Sequence, residues 1–231
     1  MPAAPITIVK LGGSMMSSRH LTTWLDALAG CGGRTVVVPG GGPFADTVRA
    51  TQGILEFTED AAHAMALLAM EQFGRALVSL RPGFRIAGSV SAIEAALLSG
   101  AVPVWSPVTM VLVASGVPAS WDVTSDSLAV WLAAQLGADR VLLVKRNELA
   151  TLSAEPGALA HHGVVDRAFP RFLQTWPVDT AIVSADSPVE TAAAIRQHRR
   201  CGVPLVLPRH ARASAGAESW RSSANHAGAG L

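Results

Sequence analysis

The chain carries eighteen basic residues, and two of them are lysine: Lys10 and Lys145. Arginine serves well on a solvated surface. A lysine ammonium is a compact charge on a flexible stem, suited to reaching a phosphate oxygen in a tight site. Both lysines follow four residues of strand character, Ile6-Thr-Ile-Val9 and Val141-Leu-Leu-Val144. Each is either a strand-end charge emerging into solvent or a ligand contact. Two glycine-rich turns follow two strands at their carboxyl ends, Lys10-Leu-Gly-Gly-Ser14 and Pro39-Gly-Gly-Gly-Pro43. Glycine lets the main chain approach a ligand closely, and consecutive N–H groups near a helix start form an anion site. The phosphate-binding candidates are therefore Gly12, Gly13, Ser14, Gly40, Gly41 and Gly42. A further candidate lies in Thr124-Ser-Asp-Ser127, where Thr124 or Ser125 can cap a helix. Asp126 then falls in the first turn, where the helix dipole favours a carboxylate. It is either a capping residue or, in a phosphate site, the group that orients lysines or helps hold Mg²⁺.

These residues need elements to position them. Apolar runs of strand length alternate with amphipathic runs of helix length. The pattern predicts strands over 6–11, 35–38, 84–87, 102–105, 110–113, 140–144, 181–183 and 203–207. It predicts helices over 18–29, 44–51, 59–80, 125–136, 166–175 and 188–200, with Thr58 as the cap of the long third one. Met65, Met70 and Phe73 on that helix read as core. Residues 150–163 read as loop, and 212–231, rich in Ala, Gly and Ser, as a mobile tail. The alternation implies an α/β fold with a largely parallel sheet and helices on both faces. Ligands in such sheets sit outside the carboxyl ends of the strands. Residues 1–211 form one domain, with no internal repeat.

Composition narrows the function. The net charge is +1 over 231 residues, and there are six Trp, six Phe and no Tyr. Neither the charge nor the aromatics suit a nucleic-acid surface, so no nucleic-acid partner is expected. No apolar run reaches the roughly 20 residues that span a bilayer, and the start, Met-Pro-Ala-Ala-Pro, does not have the pattern of a leader. Cys31 and Cys201 form no CxxC or zinc pattern and read as free thiols. A cytoplasmic location is expected. Neither GxxxxGK[ST] nor GxGxxG after the first strand is present, which disfavours P-loop and Rossmann readings.

Taken together, Val9-Lys-Leu-Gly-Gly-Ser14, Val37-Val-Pro-Gly-Gly-Gly-Pro-Phe-Ala-Asp46 with Arg49, Thr124-Ser-Asp-Ser-Leu-Ala129 and Val141-Leu-Leu-Val-Lys145 resemble the amino acid kinase superfamily. That family includes acetylglutamate, aspartate, uridylate and isopentenyl phosphate kinases. The resemblance implies a three-layer α/β/α sandwich that transfers the γ-phosphoryl group of MgATP to a small acceptor. It implies an acceptor-binding part over about 1–120 and a nucleotide-binding part over about 121–211. Lys10 would bridge donor and acceptor phosphates, the glycine N–H groups would cradle the transferring group, and Asp126 would orient the lysines. Lys145 and Asn147 would meet the nucleotide. ATP and Mg²⁺ are the implied cofactors, and a dimer or hexamer of the chain the implied assembly.

Within the superfamily, Thr58-Glu-Asp-Ala-Ala-His63 and the helix after it, with Val164-Val-Asp-Arg167, are similar to the kinase of methanofuran-type coenzyme biosynthesis. That likeness implies phosphorylation of aminomethylfuran-methyl phosphate to the diphosphate, with Arg49 and His63 as acceptor-pocket candidates. A uridylate-type kinase is the alternative, and a non-catalytic nucleotide or oxyanion binder the alternative of another class. The chain departs from the family after Lys145, where it reads Arg146-Asn-Glu-Leu-Ala150, and after Val183, where it reads Ser-Ala-Asp-Ser-Pro188.

Overall fold

The computed structural model describes residues 5–146 and 153–207. In chain order the elements are β1 (Thr7–Leu11), a 3-10 turn (Gly13–Ser17), α1 (Leu21–Ala29), β2 (Thr35–Pro39), α2 (Gly42–Leu55) and α3 (Glu59–Leu80). There follow β3 (Phe84–Ala87), α4 (Val90–Leu98), β4 (Val102–Trp105), α5 (Val108–Val111), α6 (Ser125–Leu136) and β5 (Arg140–Lys145). The last are α7 (Pro156–His161), α8 (Phe169–Thr175), β6 (Asp179–Ser184), α9 (Pro188–Arg196) and β7 (Val203–Pro204).

The strands form one sheet in the order β3-β4-β2-β1-β5-β6-β7, parallel except for β7. All five residues of β1 are buried, as a central strand covered on both faces requires. Its side chains alternate between two apolar cores. Ile8 joins Val141 and Leu143 in the core under α6 and α8. Val9 and Leu11 join Leu142 and Val144 in the core under α1 and α9, around Trp24. Lys10 and Lys145 therefore fall on the α6 face of the sheet. β1 is also where the winding reverses, with β2 on one side and β5 on the other. A crevice opens beyond the carboxyl ends of two such strands.

The structure departs from the sequence expectations at several places. Residues 110–113 form no strand. Met110 and Val111 both donate their N–H to Pro107 O, at 3.1 and 2.9 Å, which makes the segment the short helix α5. Among the described residues β3 is the edge strand of the sheet and pairs with β4 alone, so 110–113 adds no strand beside it. Residues 90–98, not anticipated as an element, form α4. β3 and β4 are parallel and need a crossover, and Ser89 caps the helix by accepting from Ala92 N at 3.1 Å. Part of the expected loop at 150–163 is α7, capped by Glu155 ahead of Pro156. On α3, Met70 and Phe73 are buried as expected, but Met65 is 38% exposed. Cys31 and Cys201 are free thiols. Among the described residues no helix is long and apolar enough to cross a membrane. The expected tail over 212–231 lies outside the described residues.

Candidate active site

β1 and β5 run in register with Lys10 beside Leu143. Lys145 thus stands two residues further along on the same face, at the carboxyl edge of the sheet. The start of α6 lies over this edge and brings Asp126 between the two lysines. Lys10 Nζ is 2.8 Å from Asp126 Oδ1. Lys145 Nζ donates to Oδ1 and Oδ2, both at 2.9 Å. The three side chains are 6%, 12% and 6% exposed, in the order Lys10, Lys145, Asp126. Two ammoniums and one carboxylate leave this buried cluster one positive charge in excess, the condition for an anion site.

The electrostatics follow from burial and charge together. Burial is the largest influence on Asp126 and pushes its pKa up, yet the two ammoniums and their hydrogen bonds outweigh it. The net effect holds Asp126 below the usual carboxylate range. For Lys145 burial also leads, with the Lys10 charge acting in the same sense. Asp126 opposes them, and the Lys145 pKa is pushed down to about 8.

The two glycine turns meet at this edge. A Cβ on Gly13 would run into the Gly42 backbone nitrogen, and one on Gly40 into the Gly13 nitrogen. Gly42 has φ +54°, in the left-handed region. The glycines therefore first allow the two turns to lie against each other. Gly13, Ser14, Gly41 and Gly42 then line a cavity of about 470 Å³ together with Lys10. The start of α2 also opens on this cavity, which favours an anion there. Gly40 differs from its neighbours, because its N–H donates to Leu11 O at 2.8 Å and is spent inside the fold. Gly12 lies under Lys10, where a Cβ would stand 3.3 Å from Nζ.

The same cavity holds Arg49 and His63. His63 is buried on α3, and burial lowers its pKa against the opposing charge of Asp60, which favours the neutral imidazole. The Arg49 guanidinium lies over the Trp121 ring, 4.3 Å from its centroid. Trp121 Nε1–H donates to Gln52 Oε1 at 2.6 Å, and Gln52 Nε2–H donates to Glu59 Oε1 at 3.1 Å. This chain of contacts ties α2, the start of α3 and the loop before α6 into one wall. Trp121 and Gln52 were not singled out from sequence. An aromatic with no periodic partner, ahead of a helix cap, gives no local signal that it closes a pocket.

A second cavity, of about 590 Å³, is lined by Lys145, Asp126, His161, Asp166 and Arg167, and it shares Arg49, Trp121, Thr124 and Gly163 with the first. The lysine–aspartate cluster thus sits between two chambers, Lys10 opening on one and Lys145 on the other. Asn147 lies outside the described residues.

The donor set bears on magnesium. Among the described residues no group of three His, Cys, Asp or Glu stands together as a metal site. Both oxygens of Asp126 are engaged by ammoniums. Asp126 fits the role of lysine organiser, and an Mg²⁺ ion arriving with a nucleotide would take its ligands chiefly from phosphate and water.

Residues 5–148 match the model of the amino acid kinase family. The chain belongs to the amino acid kinase family. No curated protein sequence matches it. Among solved structures, uridylate kinase from Archaeoglobus fulgidus superposes with a TM-score of 0.64 at 17% identity, covering 87% of this chain and 100% of that one. UMP kinase from Bacillus anthracis gives 0.64 at 13% identity, covering 87% and 95%. UMP kinase from Ureaplasma parvum gives 0.60 at 13% identity, covering 88% and 98%. These likenesses carry the fold: the parallel sheet and its flanking helices are those of an amino acid kinase family member.

Proposed function

We propose that the protein is an ATP-dependent small-molecule kinase, with the first chamber holding a phosphate acceptor and the second the nucleotide. The observation that carries this reading is Asp126 held between two buried lysines at the junction of the chambers. In the reaction an acceptor oxygen bonds to the γ-phosphorus of ATP as the bond to the β,γ-bridging oxygen breaks, and ADP leaves. Charge on the transferring group is spread over its equatorial oxygens, so positioning and fixed positive charge do the catalysis. Lys10 Nζ is placed to bridge donor and acceptor phosphates, and Lys145 Nζ to hold the donor phosphate. Asp126 fixes both ammoniums before substrate binds, so little reorganisation remains for the reaction itself. The N–H groups at Gly13, Gly41 and Gly42 complete the cradle. Magnesium bound with ATP would neutralise part of the phosphate charge.

For the acceptor we propose aminomethylfuran-methyl phosphate, converted to the diphosphate, in the cytoplasm. This rests on the resemblance over 58–74 and 164–167, and on a first chamber lined by the cations Lys10 and Arg49 together with the apolar Leu67, Met70 and Leu128. UMP is the competing acceptor, given the uridylate kinases of the same fold. The test is ADP release from MgATP with each acceptor in turn. Turnover with the furan phosphate and not with UMP supports the reading. Turnover with UMP reassigns the acceptor, and tight nucleotide binding without ADP from any monophosphate replaces the kinase by a non-catalytic binder.

A further inference from the structure

The start of α6 carries Asp126, yet neither of the residues expected to cap it does so with its side chain. Thr124 is the N-cap residue and makes no side-chain cap bond. The missing cap comes from 39 to 42 residues away in the chain. Asp166 Oδ2 accepts from Thr124 N at 2.9 Å, from Thr124 Oγ1 at 2.8 Å and from Ser127 N at 3.0 Å. Asp166 Oδ1 accepts from Ser127 Oγ at 2.5 Å. The two backbone N–H groups are ones that a helix start otherwise leaves without partners. A second tie, from Ala168 N to Asp122 O at 2.9 Å, fastens the same segment to the loop ahead of α6.

We propose that Asp166 is a positioning residue of the phosphate site, capping α6 from outside the helix and so aiming Asp126 at Lys10 and Lys145. Asp126 lies between the two residues that Asp166 grips, so its backbone is fixed on both sides by one carboxylate. The four bonds are those of an acceptor-only, ionised group. Burial and the Asp126 charge push the Asp166 pKa up, and the Ser127 and Thr124 bonds pull against them. The Asp166 charge in turn favours the protonated form of Lys145. Lys145 also faces Asp126 on α6 and Lys10 on β1. The remaining charged or titratable groups of its chamber are Arg49 on α2, Asp122, His161 on α7 and Arg167. Asp166 is thus coupled to the lysines in two ways, through the helix it caps and through its own charge.

The proposal's catalytic meaning rests on the phosphoryl-transfer reading, but its test does not. Protein labelled with ¹³C at lysine Cε gives two signals, one for each lysine of the sequence, assigned with Lys10→Met. In the unliganded protein the Lys145 signal should titrate near the value of about 8 given above. Asp166→Asn keeps an acceptor oxygen for the cap and removes the charge. It should lower the Lys145 midpoint by at least about 0.5 pH unit. Asp166→Glu, which keeps the charge, should return the midpoint most of the way to that of the parent. Amide exchange at Asp126 and Ser127 should quicken in Asp166→Asn as the cap loses its charge, and unchanged exchange there overturns the proposal, because a midpoint shift alone reports only the missing charge. If Asp166→Asn does not fold, Ser127→Ala decides, since it removes one of the four bonds. Amide exchange at Asp126 and Ser127 should then quicken about fivefold, the worth of a weakened cap, while Ile93 on α4 is unmoved. No change at the α6 start overturns the proposal. These signals are read without nucleotide or acceptor, so a protein that makes no ADP leaves the test intact.

Discussion

Lys145 Nζ lies 2.9 Å from each carboxylate oxygen of Asp126, while Lys10 Nζ approaches Oδ1 of the same group at 2.8 Å. One carboxylate thus stands between two buried ammoniums and offsets one of their two charges. Asp126→Asn should leave two buried like charges unbalanced. Removing one partner of a buried ion pair costs about 3–5 kcal/mol, which urea unfolding at pH 7 would read. The loss should shrink as pH rises and Lys145 sheds its proton. A loss that is the same at pH 7 and pH 10 would mean that Asp126 acts by its hydrogen bonds and not by its charge.

Lys10→Ala should abolish turnover while the protein remains folded. Losing a charge that meets the transferring phosphate is worth about 3–4 kcal/mol in the transition state, or 10²–10³-fold in kcat. Circular dichroism confirms the fold and ADP release gives the rate. Turnover within a few-fold of the parent would remove Lys10 from the site.

The site was legible in sequence where the signal is local. Lys10, Asp126 and Lys145 each end a strand or start a helix, and alternation puts both lysines on one face. The bounds of α3 match expectation, because Thr58 caps it by accepting from Ala61 N at 3.3 Å and Gly or Pro does not interrupt its first four turns. Residues 110–113 have the strand composition Met-Val-Leu-Val, whereas the bonds of Met110 N and Val111 N back to Pro107 O make a helical turn that composition does not signal. The role of Asp166 was hidden for a related reason. Its partners are 39 and 42 residues away, and no helical or strand period connects them. Gly40 is indistinguishable from its neighbours by residue type, although its N–H closes a bond within the fold.

The glycine turns make a separate prediction. Gly13→Ala would set a methyl against the Gly42 nitrogen, which is main chain and cannot swing aside. Overpacking of this kind costs about 1–3 kcal/mol and should part the two turns. Gly12→Ala would place its methyl 3.3 Å from Lys10 Nζ, the far end of a flexible chain. It should cost little stability and lower kcat by displacing the ammonium. Thermal unfolding and steady-state kinetics on the two variants distinguish a packing glycine from one that leaves room for a lysine. Equal stabilities for the two would contradict the close approach of the turns.

The wall of Trp121, Gln52 and Arg49 should set acceptor affinity more than rate. Trp121→Ala removes the ring under Arg49 and the bond to Gln52. A cation over an aromatic face and one hydrogen bond are each worth about 1 kcal/mol. The acceptor KM should rise about tenfold or more with a smaller change in kcat, and Trp121→Phe should recover the part due to stacking. A fall in kcat at constant KM would instead place Trp121 against the reacting group.

The Lys145 pKa of about 8 predicts opposite pH trends for activity and stability. An unfolded lysine titrates near about 10.4, so between about 8 and that value the unfolded chain binds more protons than the folded one. Stability from this group therefore rises with pH across that window, being lowest where Lys145 is fully charged in the fold. The kcat/KM for MgATP, which reports groups of the free enzyme, should move the other way, declining above about pH 8 as the donor-phosphate charge is lost. Lys145→Arg separates the two effects, because arginine stays protonated throughout. It should abolish the alkaline decline in kcat/KM and flatten the rise in stability over the same range. Its kcat at pH 7 should fall about tenfold or more, since the larger guanidinium cannot repeat the point contact with both oxygens of Asp126. An alkaline limb that survives in Lys145→Arg would assign the titration to another group of the site.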